Sequence, residues 1–313
     1  MLAIVAPGQG AQTPGFLSAW LAEPQFAEKL TELGEAAELD LARYGTEADA
    51  ETIRDTAVAQ PLLVAAGIIT ALPLTDAGAF RPETVLAGHS VGELTVAALS
   101  GVVSESQAMV LVRERGRAMA EASALRPTSM TAVVGGEVED VLAALERAGL
   151  TPANNNGRGQ IVAAGTVEQL EALAADAPRR ARLVPLSVAG AFHTVHMEPA
   201  VARLRALVSG TTPGEPRTRL LSNADGAVVT SGREVLDRIV AQVANPVRWD
   251  LCMATMADLG VTGLLELTPS GTLTGIAKRN LQGVELFSLN TPDQIDDART
   301  FVDNHAGSSA ANA

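Results

Sequence analysis

The segment Gly88-His89-Ser90-Val91-Gly92-Glu93 sets a serine between two glycines, after the strand candidate Thr84–Gly88 and before the helical stretch Leu94–Leu99. A strand, a sharp turn and a helix make the setting in which a serine hydroxyl is raised as a nucleophile. The glycines leave room for backbone packed close to the turn. The following helix points its first N–H groups and the positive end of its dipole at Ser90, where an oxyanion would form. The plainer alternative is an ordinary glycine-rich turn between strand and helix.

A serine hydroxyl needs a base. Four histidines are available: His89, His193, His196 and His305. His89 is the direct neighbour of Ser90, and adjacent side chains in extended chain point to opposite sides, so it is read as structural. His193 falls in the chain returning from residues 128–191 to the main domain, which would line the cleft between the two, and it is the base expected here. Thr194 then caps the next helix. His196 is read as half-exposed on that helix, and His305 as a surface residue of a small, polar, frayed tail.

Arg115 lies within the apolar face formed by Ala108, Leu111, Val112, Ala118, Met119 and Ala122, whereas Arg113 and Arg117 fall off it. A buried guanidinium must meet an anion. An internal salt bridge, for example with Glu93, and a fork gripping a substrate carboxylate are equally open on this evidence. Pro7-Gly8-Gln9-Gly10-Ala11-Gln12 follows the first strand. It lacks the lysine of a phosphate loop and the spacing of a dinucleotide fingerprint. By position it can supply an oxyanion-hole N–H alongside that of Val91.

These residues need a scaffold. Apolar runs at Leu2–Ala6, Thr84–Gly88, Arg219–Ser222, Gly263–Leu267 and Val284–Ser288 alternate with amphipathic stretches such as Gln60–Leu72, Ser104–Leu125 and Thr194–Val208. Crossovers of that length predict an α/β fold with a mostly parallel sheet. Residues 128–191 read instead as β-α-β-β-α-β, a ferredoxin-like unit inserted into the larger domain. The predicted organisation is a hydrolase-like catalytic subdomain of residues 1–127 and 192–313, with a small subdomain of 128–191 and a ligand cleft between them.

The chain has 313 residues, enough for a sizeable core, and its net charge of −13 argues against nucleic acid or an anionic membrane as partner. Its lone cysteine, Cys252, can form neither an internal disulfide nor a thiolate metal site, and it reads as buried filler in a cytoplasmic protein. No stretch reaches the ~18 apolar residues of a membrane span. A monomer is expected.

Five segments together resemble the malonyl-CoA:acyl carrier protein transacylase family, which is related to the acyltransferase domains of polyketide synthases. They are Gly8-Gln9-Gly10-Ala11-Gln12, Gly88-His89-Ser90-Val91-Gly92-Glu93, Arg113-Glu114-Arg115-Gly116, Phe192-His193-Thr194 and Asn245-Pro246-Val247-Arg248-Trp249. They occur in the family's order and span nearly the whole chain. The family's late Gly-Pro-Gly turn is Thr268-Pro269-Ser270 here.

The resemblance implies a catalytic pair of Ser90 and His193, an oxyanion hole from the N–H groups of Gln9 and Val91, and Arg115 on the malonyl carboxylate. It implies a backbone carbonyl of Asn245 holding His193, with Asn156 and Phe192 at the substrate and Asn154 lining the cleft. It implies malonyl-CoA and acyl carrier protein as partners, for fatty acid synthesis, with no metal or redox cofactor. The basic positions Arg182, Lys278 and Arg279 match the family's and are expected to meet the acidic carrier. A serine esterase or thioesterase, a silent carrier-binding module and a discrete polyketide acyltransferase stand as alternatives.

Overall fold

The structure is a computed structural model and describes residues 1–188 and 190–307. Among the described residues, eleven strands appear in chain order: β1 Leu2–Ala6, β2 Val85–Gly88, β3 Thr128–Gly135, β4 Thr151–Asn155, β5 Gln160–Thr166, β6 Ala181–Pro185, β7 Arg219–Leu221, β8 Val228–Val229, β9 Val247–Arg248, β10 Gly263–Glu266 and β11 Glu285–Ser288. Two sheets form, ordered β11-β10-β1-β2-β7-β8 and β6-β3-β5-β4-β9.

In the first sheet β1, β2, β7, β10 and β11 run parallel, and β8 turns back antiparallel on β7. The central strands β1, β2 and β10 are buried along their whole length. Helices cover both faces of such a sheet, so its strands read as unbroken apolar runs rather than as alternation. All five strands expected in this sheet are present, with ends moved by at most a residue or so. The two-residue strands β8 and β9 carry no periodic pattern and went unread.

The second sheet has the β6-β3-β5-β4 order and antiparallel pairing of a ferredoxin-like unit. One strand comes from outside it: β9 adds parallel to β4, pairing Asn154 with Val247 and Asn155 with Arg248. The Asn-Pro segment thus belongs to the small sheet, although it lies 60 or so residues beyond the insertion in sequence.

Helix ends follow local chemistry. Ser104 and Gln107 form a reciprocal capping box at the start of Glu105–Ala124, and Thr166 with Gln169 does the same for Val167–Ala175. Thr194 accepts from the N–H of His196, as expected, but the turn it caps is a 3-10 turn, Val195–Met197, that leads into Glu198–Ser209.

Two expectations change. The helix Thr56–Thr75 is long and apolar enough to cross a membrane by length and composition, yet 78% of its apolar window is buried inside the protein, where it is a core helix. The helix Ile295–His305 carries the chain to His305, whose ring bonds Thr262 Oγ1 at 3.0 Å and Glu285 at 3.0 Å. That end of the chain is therefore held against the sheet; residues 308–313 of the expected frayed tail lie outside the described residues.

Candidate active site

Three loops leave the carboxyl ends of neighbouring strands and converge: Gly8–Gln12 after β1, the serine turn after β2, and Asn223 after β7. Open α/β sheets place ligands at this end. Packing is tight enough to exclude side chains. A Cβ on Gly88 would fall 1.9 Å from the backbone carbon of Gly92, and one on Gly92 would fall 2.3 Å from the carbonyl oxygen of Ala6. Glycine is thus required on both sides of the serine.

Ser90 has a φ of 54°, in the left-handed region. A non-glycine residue held there costs on the order of 1–3 kcal/mol, so neighbours must hold it. The Ser90 N–H donates to Asn223 Oδ1 at 2.8 Å, and its carbonyl accepts from the side-chain amide of Gln242 at 3.2 Å. Asn223 also donates to the carbonyl of Gly88 at 2.8 Å.

The hydroxyl so presented lies 2.7 Å from Nε2 of His193, within reach of direct proton transfer. His193 is 3% exposed and also has a left-handed backbone, φ 61°. Burial first, and then the charge of Arg115, lower its pKa to about 3. The ring is neutral at any ordinary pH, with Nδ1 protonated and Nε2 free to accept. Nδ1 donates to the carbonyl oxygen of Gln242 at 2.8 Å.

That partner corrects the expectation of Asn245. Gln242 ends the helix Gly232–Gln242, where the last carbonyls lack intrahelical partners and are free for such a contact. Asn245 lies beyond the helix end. Its side chain turns back to the carbonyl of Ala241, and its own N–H donates to the Gln242 carbonyl at 3.2 Å. It supports the holder rather than being it.

Arg115 is 2% exposed. Its Nη1 donates to Gln60 Oε1 at 2.7 Å and its Nη2 to Gln242 Oε1 at 2.8 Å. Nη2 also lies 3.4 Å from Ser90 Oγ, and Nε is buried with no partner among the described residues. Burial lowers its pKa to about 10, so it stays charged near neutrality. The salt bridge to Glu93 is not formed; the Gln242 amide stands between the two. Arg113 and Arg117 are half-buried or exposed and pair with Glu38 and Glu114.

The N–H groups of Gln9 and Val91 donate no hydrogen bond to the protein among the described residues. The Gly8 turn lies against the serine turn, since a Cβ there would fall 2.8 Å from the carbonyl oxygen of His89. His89 points away from the base, as read. Its Nε2 meets Asn156 Oδ1 at 2.9 Å and its ring packs edge-on to Trp249. Asn156 is thus brought to the site, with its amide shared between His89 and Gln160. Asn154 Oδ1 is buried without a partner among the described residues. Phe192 is packed into the main core. Cys252 is fully buried, and burial raises its thiol pKa, so it is inert.

Gln60, Gln242 and Asn223 were not singled out by sequence reasoning. Gln60 alone left a signal, a polar residue in an otherwise apolar helix.

A strand-raised serine, a buried imidazole in hydrogen-bond contact with it and a guanidinium beside both give the arrangement of an α/β enzyme with a serine at the centre of its site. A family model described as acyl transferase domain matches residues 4–303. The chain belongs to that acyltransferase family. It is 47% identical over 298 residues to the malonyl CoA-acyl carrier protein transacylase of Mycobacterium tuberculosis, covering 95% of this chain and 99% of the relative. The crystal structure of that organism's MCAT superposes with a TM-score of 0.92 at 46% identity, covering 96% and 99% of the two chains. A malonyl-transacylase solved in complex with a type II PKS acyl-carrier protein superposes with a TM-score of 0.89 at 30% identity, over 96% and 99% of the chains.

Proposed function

We propose that the protein transfers malonyl from malonyl-CoA to the phosphopantetheine thiol of acyl carrier protein through a malonyl-Ser90 intermediate. The observation that carries this reading is Arg115: a buried cation whose Nη2 lies 3.4 Å from the Ser90 hydroxyl, with no carboxylate partner and an unpartnered Nε among the described residues. A site built so requires an anionic group on the acyl chain.

His193 Nε2 takes the Ser90 proton as Oγ attacks the thioester carbon. The carbonyl electrons move onto oxygen, where the N–H groups of Gln9 and Val91 receive them; one such donor contributes about 3 kcal/mol. The intermediate collapses, the C–S bond breaks, and the imidazolium returns its proton to the sulfur of coenzyme A. The carrier thiol then enters, gives its proton to the same Nε2 and attacks malonyl-Ser90; the C–O bond breaks and the imidazolium returns the proton to Ser90 Oγ. His193, neutral at the outset, can serve as base in each half-reaction. The reading calls for no metal or redox group and places the enzyme in the cytoplasm.

Docking of an acidic carrier would use local cations, because the global charge is negative. Arg182, Lys278 and Arg279 are exposed, and none is ion-paired among the described residues. Arg158, also exposed, stands beside the last two, since its N–H donates to Asn280 Oδ1 at 2.7 Å. Reversing the charge at Lys278 and Arg279 should raise the KM for carrier protein and flatten its salt dependence, leaving acylation by malonyl-CoA unchanged. An unchanged KM for carrier would remove this surface from the docking site.

Incubation with radiolabelled malonyl-CoA tests the whole reading. A transferase accumulates labelled enzyme and passes the label to carrier protein; an esterase or thioesterase releases free malonate. The carrier-bound relative favours a second acceptor class, so fatty-acid and polyketide carriers should both be offered.

A further inference from the structure

Glu93 is 5% exposed and lies beneath the serine turn. Its Oε1 accepts from the N–H of Asn223 at 2.7 Å, and its Oε2 accepts from the side-chain amide of Gln242 at 2.6 Å. The oxygen of that same amide accepts from Arg115 Nη2 at 2.8 Å. One planar group therefore turns its N–H toward a carboxylate and its carbonyl toward a guanidinium, and each contact polarises the amide in the sense that strengthens the other. On the malonyl reading above, two carboxylates draw on one cation: Glu93 through Gln242, and the acyl group directly.

We propose that Glu93 is a positioning residue that sets how strongly Arg115 selects a carboxylate-bearing acyl group, its charged form weakening that selection and its neutral form strengthening it. The groups that face it are few. Arg115 comes from Glu105–Ala124. Arg238 comes from Gly232–Gln242, itself bound to Asp225 at 2.7 Å, and Asp225 follows β7. The buried Cys252 thiol comes from Trp249–Asp258, and on its own helix Glu93 is the lone titratable residue. Burial outweighs the hydrogen bond from the Asn223 N–H and the attraction of the two arginines, and pushes the Glu93 pKa up to about 8.

An acyl carboxylate on Arg115 cancels the positive charge that favours ionised Glu93, so loading of malonyl draws a proton onto Glu93. The sign follows. Below about 8 Glu93 is mostly neutral and leaves Arg115 to the substrate. Above it the ionised carboxylate competes, and preference for malonyl falls as pH rises. His193 remains neutral and Arg115 charged through this window.

The test is the ratio of Ser90 acylation rates with malonyl-CoA and acetyl-CoA, measured on the full chain about one pH unit either side of 8. Effects on the nucleophile, the base and the coenzyme phosphates cancel in that ratio. A fivefold coupling, the lower end of the ordinary range between sites, should make it fall roughly threefold across that window, and a stronger coupling more. Glu93→Gln sets an amide NH2 against one of two donors, so both rates should drop, but the ratio should become flat with pH. A donor whose acyl carboxylate is replaced by a neutral amide gives a control in the unaltered enzyme and should track acetyl. A flat malonyl-to-acetyl ratio in the unaltered enzyme, or a fall that persists in Glu93→Gln, overturns the proposal. Absence of any malonyl labelling would instead defeat the reading on which it rests.

Discussion

Ser90→Ala should carry no label after incubation with radiolabelled malonyl-CoA, and turnover to carrier protein should fall by roughly 10⁴-fold or more, to the level that binding and the oxyanion hole alone support. The loss should appear in kcat and leave folding intact. Alanine tolerates a left-handed φ about as poorly as serine, and the side-chain amides that hold residue 90 meet its backbone: Asn223 Oδ1 at the N–H and Gln242 at the carbonyl. Mass spectrometry of the intact chain checks the acyl adduct directly. A Ser90→Ala protein that still gained the malonyl mass would move the nucleophile elsewhere. His193→Ala should slow both half-reactions, since no other ring nitrogen is hydrogen-bonded to Oγ among the described residues.

Arg115→Ala should lower kcat/KM for malonyl-CoA by at least about a hundredfold, equivalent to about 3 kcal/mol, and change that for acetyl-CoA far less. The asymmetry is the diagnostic part. Malonyl loses a charge-assisted fork in a dry site, whereas acetyl never satisfied the guanidinium and gains when it is gone. Equal losses with both donors would mean that Arg115 serves the architecture, through Gln60 and Gln242, and not the substrate. Arg115→Lys should recover little, because one ammonium cannot reproduce planar contacts to two glutamine oxygens and a carboxylate together.

Sequence legibility in this molecule tracks how local the determinants are. The serine turn was readable because glycine, serine and glycine stand at fixed offsets between a strand and a helix, and the folded packing at Gly88 and Gly92 shows why those offsets are needed. Arg115 was readable as a charge on an apolar helix face, but its anion was not: Glu93 and a substrate carboxylate stood level until the Gln242 amide was seen between Arg115 and Glu93. The holder of His193 was placed three residues too late, because a backbone carbonyl has no side-chain signature and is released by where a helix stops. Asn223 and Gln242 reach the serine turn from far along the chain, and amides of this kind are common in loops and helix ends. The strands β8 and β9 are two residues each, too short for any period to show.

The shortest of these elements couples the two sheets. Within seven residues, Gln242 to Arg248, the chain holds the imidazole by a carbonyl, lays β9 against β4, and returns the Arg248 N–H to the carbonyl of Asn223 at 2.8 Å. The setting of the small sheet and the aim of the His193 ring are therefore one mechanical variable. Prising the small sheet away would drag on both supports of the serine turn, so acyl donors and acceptors should exchange through a fixed doorway, with the moving part being the long pantetheine arm that each of them brings.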